Sequence, residues 1–413
     1  MNQKMMEQYA EFIVQVGVNV QKNQTLIINC PLDAAYFARA CMKAALQVGA
    51  RDVVIRYTDE KAERIRLELA EESVLCDVKP YVLRSYLDYA ESEGGCCVLS
   101  ISASDPEAYK GLDAGKINRV ALARRQALQP WRSYTMNDRI QWCVAAIPTP
   151  AWAKKVFPEL EAEQAEEKLW QTIFDVCRVT GGNPVQEWKE HIAKTTAYRD
   201  KLNQLNLESI RMQSANGTDL TVGLAEGHTW EGASSKAENG FTFVANVPTE
   251  EVFTAPHCLR VNGVVKGTKP YVYNGQPIEN FSFTFKDGKV VEYSADKNQE
   301  VLGQMLDSDE GARRIGEVAL VPASSPINRS GVLFFNTLYD ENAACHIAFG
   351  AGYPTTVKGG SSMSSEQLLE CGVNQSAIHE DMMVGAEDMT ITGLTRDGQT
   401  VTIFENGEWA LEV

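Results

Sequence analysis

The chain has 413 residues, 44% of them hydrophobic and 23% charged, with a formal net charge of −16. That length supports two or three domains with sizeable cores, and the composition is ordinary for a soluble globular protein. The acidic balance excludes a nucleic-acid footprint and docking on an anionic membrane. Ten cysteines are present, but Cys30, Cys41, Cys143 and Cys177 lie in hydrophobic segments and no CxxC pair occurs. They read as small core residues rather than as a disulfide framework or zinc ribbon. The first twenty residues lack a clean apolar segment and cleavage site, and no apolar run is long enough to cross a bilayer. A cytoplasmic protein with reduced thiols is expected.

In chain order, apolar residues at Tyr9, Phe12, Ile13, Val16 and Val20 have helical spacing. "QTLIINC" reads as a strand, and "DAAYFARACMKAALQVGA" as a helix opened by Asp33 and closed near Gly49. "DVVIRY" is a second buried strand, "DEKAERIRLELAEES" a charged helix and Tyr81 to Gly95 another helix. "CCVLSIS", a helix running towards Leu128, and the strand "QWCVAAIP" complete the series. Strands alternating with helices predict a parallel sheet covered on both faces. No G-x-G-x-x-G or G-x-x-x-x-G-K follows a strand, so dinucleotide and P-loop readings have no support.

Helix dominates from Glu161 to about Leu207, interrupted at Gly181-Gly182-Asn183-Pro184. Beyond it, "SANGTDLTVGL", "FSFTFKDGKVVEYS" and "MTITGLTRDGQTVTIFENGEWALEV" alternate polar and apolar residues around Asn-Gly and Asp-Gly turns. These are antiparallel hairpin signals. The expected architecture is an α/β N-terminal domain with a mostly parallel sheet, residues 1–182. An α+β, largely antiparallel catalytic domain would follow over residues 183–413.

The chemistry concentrates in that second half. His346 and His379 stand near Asp340, Glu341 and Asp381, the mixed imidazole and carboxylate set that suits zinc, cobalt or manganese. If "AIHEDMMV" is a strand, His379 and Asp381 share a face, because side chains two apart point the same way. Glu250, Glu251 and Glu317 are further candidates, although each glutamate alone reads as a solvated surface residue. His191, His228 and His257 read as ordinary structural histidines. Cys345 beside His346 reads as a buried thiol rather than a nucleophile.

Four ordered motifs, "NVPTEEVFTAPH", "GEVALVP", "YDENAACHIAFGAGYP" and "AIHEDMMVG", resemble those of the thermophilic-type metalloaminopeptidases, the M29 peptidase family. The similarity runs through most of the chain. The resemblance implies two divalent metal ions per subunit, zinc, cobalt or manganese. It makes Glu251 a ligand of one ion, Glu317 the bridge, Glu341 a further carboxylate, and His346, His379 and Asp381 the remaining ligands. It points to Tyr353 as oxyanion donor; Glu250 is the candidate general acid or base. The implied reaction is removal of N-terminal residues from short peptides by attack of a metal-bridging water, in a homodimer. Two competing readings keep a place: a metal-dependent hydrolase of another amide or amino-acid conjugate, and a non-catalytic α/β binding protein.

Overall fold

The computed structural model describes residues 2–103, 105, 108–273 and 276–413. The chain divides into two compact units, one formed by Met1–Lys189 with Ser234–Pro248, the other by Glu190–Ala233 with Thr249–Val413. The first holds a parallel sheet of β1 (Thr25–Pro31), β2 (Asp52–Thr58), β3 (Cys96–Ser102) and β4 (Trp142–Ala146). Their order is β4-β3-β1-β2, with the two-residue strand Asn246–Val247 added outside β4. Helices connect successive strands, as parallel pairing requires. The inner strands β1 and β3 are buried along almost their whole length. Hence they read as continuous apolar runs rather than alternations.

Local details depart from the sequence reading. Asp33 lies in a 3₁₀ turn, and the helix begins after it at Ala35 with no side-chain cap. The charged helix starts as expected at Asp59, whose carboxylate accepts from the N–H groups of Lys61 and Ala62. It stops at Leu69, where Ala70 turns extended, and a separate short helix covers Glu72–Cys76. The next helix spans Pro80–Ala90, short of Gly95.

The second unit contains an eight-stranded antiparallel sheet running from Lys289–Ser294 through Pro256–Lys266 and Leu207–Gln213 to Glu408–Trp409. Its hairpins turn where the sequence places Asp-Gly and Asn-Gly. Asp287-Gly288 and Asn406-Gly407 take positive φ at both positions, as a type I′ turn demands. A second antiparallel sheet carries β5 (Val252–Thr254), β6 (Ile315–Leu320), β7 (His346–Gly350) and β8 (His379–Met383), in the order β8-β7-β6-β5, and ends on Glu231–Gly232. One face of this sheet, with Val252, Val318, Leu320, Ile347, Phe349 and Met382, joins the core that the large sheet lines with Val222, Val261, Phe283 and Phe285. Phe283 and Phe349 meet with ring centroids 4.6 Å apart. The opposite face is left for chemistry.

Candidate metal centre

Strand register assembles that face. Ala319 of β6 pairs with His346 of β7, and Glu317 with Ala348. Ala348 in turn pairs with Asp381 of β8, and Gly350 with His379. Since the side-chain period is two, Glu317, His346, His379 and Asp381 all project opposite to the core face. Gly316 is an extra residue between the Ile315 and Glu317 pairings, a bulge immediately before the key glutamate. Bulges of this kind re-aim a side chain beside an active site. Val252 pairs with Leu320 on the core side, so the alternation carries Glu251 to the site face and Glu250 away from it.

The resulting geometry is two overlapping groups of three. Glu251, Glu317 and His346 offer ligand atoms within 4.8 Å of one another, and so do Glu317, His379 and Asp381. His346 Nε2 lies 3.3 Å from Glu251 Oε2 and 3.4 Å from Glu317 Oε1. His379 Nε2 lies 3.4 Å from Asp381 Oδ1 and 4.0 Å from Glu317 Oε2. The two oxygens of Glu317 therefore face different histidines. Each imidazole has its other nitrogen on a backbone carbonyl: His379 Nδ1 is 2.7 Å from Ala351 O and His346 Nδ1 3.3 Å from Ala344 O. That contact fixes the ring so that Nε2 faces the carboxylates, the usual second contact of a metal-binding histidine.

Electrostatics show what the cluster costs without an ion. Burial raises the pKa of Glu317, and of Glu341 still further, with Asp381 and Glu251 adding repulsion at Glu341. Burial would lower both histidines. At His346 hydrogen bonds to Glu251 and Glu317 outweigh it, and its pKa sits well above the usual value. At His379 the pKa is raised to about 10, because contact with Asp381 and the charge of Glu317 outweigh burial. Asp381 is held low: burial opposes ionisation, but the hydrogen bond and charge of His379 prevail. Buried carboxylates of this density need compensating positive charge. Protonated imidazoles would supply it, and so would divalent cations in their place. Donor type, histidine orientation and unbalanced negative charge all fit a metal centre.

The remaining expected residues take distinct places. Glu341 belongs to neither group of three, yet its carboxylate is buried within electrostatic reach of Glu251, Asp381 and His346. Tyr353 packs its ring 4.8 Å from that of His379 and edge-on to Phe253 at 6.0 Å. The residue as a whole is 44% exposed, but burial of its hydroxyl end and then Glu317, Asp381, Glu341 and Glu251 raise its pKa. Glu250 is buried and faces His191, whose Nε2 is 3.7 Å away and 2.8 Å from Thr249 O. Cys345 is a buried thiol paired with the Val321 backbone, its pKa pushed up to about 11 by burial. Reading Glu250, Glu251 and Glu317 singly as surface residues was wrong, since all three are buried.

Two contributors escaped the sequence reading. His191 was classed as ordinary, though it sits against Glu250. Asn342 was not singled out, and its fully buried carboxamide accepts the Glu250 N–H at 2.7 Å and lies 3.5 Å from Glu341 Oε1. Its place inside "YDENAACH", between a proposed ligand and His346, was the available signal.

The sequence profile of the family described as thermophilic metalloprotease (M29) matches residues 2–409. The chain is 43% identical over 411 residues to aminopeptidase 2 of Geobacillus stearothermophilus, covering 100% of this chain and 99% of the relative. It is 40% identical to aminopeptidase AmpS of Bacillus subtilis, covering 97% of each chain. The structure superposes on wild-type AmpT from Thermus thermophilus with a TM-score of 0.90 and 37% identity, over 99% of both chains. This chain is therefore a member of the thermophilic metalloprotease family, M29, a peptidase of the hydrolase class that works with divalent metal.

Proposed function

We propose that this protein is an aminopeptidase with a two-metal centre that removes N-terminal residues from short peptides. The observation that carries the reading is the placement of Glu317, each of whose carboxylate oxygens addresses a different histidine. In this reading Glu251 and His346 would hold one ion and His379 and Asp381 the other, with Glu317 shared between them and Glu341 as a further carboxylate. Divalent ions bound there would supply a water of lowered pKa, carbonyl polarisation and an anchor for the free α-amine.

The chain's own groups do the rest. Tyr353, whose ring packs 4.8 Å from that of His379, would donate from its phenol, protonated at neutral pH as tyrosine ordinarily is, to the oxyanion that develops in the transition state. Glu250 is the proposed acid–base group for the leaving amine on its place beside Glu251 in the chain, although its side chain turns away from the site face towards His191, 3.7 Å off. The motif resemblance supports a homodimer, and the free cysteines together with the absence of a long apolar helix among the described residues support a cytoplasmic setting. Zinc, cobalt and manganese all suit the donor set.

The test is hydrolysis of free and N-blocked amino-acid p-nitroanilides by untreated, chelated and metal-restored protein. Cleavage confined to free amines, lost on chelation and regained with metal, is expected. Cleavage that survives chelation, or that ignores N-blocking, would contradict the proposal.

A further inference from the structure

A cavity of about 110 Å³ opens directly off the proposed metal centre. One end is formed by Glu341 and Asp381, and the walls include Tyr271, Leu333, Phe335 and Met383. Met383 follows Asp381 at the two-residue spacing of β8, so the cavity continues along the site face one step beyond the ligands.

Several of its polar groups are already engaged. The Tyr271 hydroxyl donates to Glu380. The Asp340 carboxylate accepts from the N–H groups of Phe334 at 2.8 Å and Asn336 at 2.9 Å, with Phe335 N–H as a third donor. Asn336 Oδ1 accepts from Leu338 N–H at 3.2 Å. The lining is mixed: Leu333, Phe335 and Met383 form an apolar wall beside Asn336, Thr337 and Asp340, and it is that wall that a side chain would pack against.

The wall is also held under strain. Phe335 has φ +54°, a left-handed conformation that a bulky residue adopts only when its surroundings impose it. The imposing group is Asp340, which grips three successive backbone donors and aims the Phe335 segment at the cavity. Outliers of this type collect at ligand clamps.

We propose that this cavity receives the side chain of the substrate's N-terminal residue and selects a medium-sized apolar one, such as leucine or methionine. This rests on the aminopeptidase reading, which anchors the α-amine and carbonyl at the ligand end. The side chain branches from the carbon between those two groups, so a space adjoining the ligands is where it must go. An apolar cavity of about 150 Å³ accommodates benzene; a space of 110 Å³ suits an aliphatic chain better than an indole. Aspartate and glutamate side chains would meet the Asp340 carboxylate and no cationic side chain among the lining residues.

The experiment is a kcat/KM panel of alanine, leucine, methionine, tryptophan, lysine and glutamate p-nitroanilides on wild type, Leu333→Trp, Leu333→Phe and Phe335→Gly. Wild type is expected to favour leucine and methionine over alanine by about tenfold or more, a discrimination typical of filling an apolar pocket. Leu333→Trp and Leu333→Phe fill the space and lower the leucine-to-alanine ratio by about tenfold. Phe335→Gly relieves the strained backbone, opens the wall and raises tryptophan relative to leucine. Metal-dependent cleavage with ratios unmoved in variants that keep the wild-type melting temperature would overturn the pocket and leave the aminopeptidase reading intact. A wild-type preference for lysine or glutamate would overturn it equally. Failure to cleave any free-amine substrate would overturn the reading beneath it.

Discussion

At the scale of the residue, Asn342 ties together three segments that the sequence keeps far apart. Its Oδ1 accepts from Glu250 N–H, its Nδ2 donates to Leu338 O at 3.3 Å and reaches Glu341, and its own carbonyl accepts from Ser325 Oγ at 2.6 Å. Because Glu250 adjoins Glu251, the same amide sets the position of one proposed ligand and touches another. It acts through those neighbours, so it is a positioning residue. Asn342→Ala leaves the buried Glu250 N–H without its acceptor, a loss worth about 1–3 kcal/mol of stability. It should also weaken metal retention by about 10–100-fold, the usual effect of removing such an outer contact. Competition with a coloured chelator reads the second effect separately from the melting temperature. A variant that melts early but holds metal as tightly as wild type would reduce Asn342 to a packing role.

At the scale of the element, β7 and its neighbours divide the work between two faces. Ile347 and Phe349 enter the core, while His346 faces the site. Gly350 ends β7 with φ +99°, and a Cβ there would stand 2.1 Å from Ile378 O. Gly350 pairs with His379, so that close approach is what brings β8 into register. Gly350→Ala forces the backbone apart at this point and adds strain of about 1–3 kcal/mol. Thermal denaturation of the chelated protein should show the loss, and metal affinity should fall with it. Full retention of both would mean that β8 does not depend on the contact.

The two-residue period of "AIHEDMMV" is a local property, and it was enough to put His379 and Asp381 on one face. The Asn-Gly and Asp-Gly hairpins were legible for the same reason, since turn chemistry is written in adjacent residues. The break at Ala70, the burial of Glu317 and the company of His191 were not legible. Each is decided by contacts between segments distant in the chain, which override local propensity. The strained φ of Phe335 depends on Asp340, and no sequence pattern announces it.

At the scale of the whole molecule, two units with separate sheets share one chain, which passes from the first to the second, returns for Ser234–Pro248, and then completes the second. The proposed ligands and both histidines lie within the second unit, spread from Glu251 to Asp381. Metal binding therefore closes loops of more than a hundred residues and, by binding the folded form, stabilises it. The central claim is that Glu317 joins two ions, and metal counting tests it most directly. Elemental analysis of metal-restored wild type and Glu317→Gln after exhaustive dialysis should give two equivalents per chain and at most one, respectively, with the melting temperature of wild type rising on loading. One equivalent in wild type, or two retained by Glu317→Gln, would contradict the bridged centre.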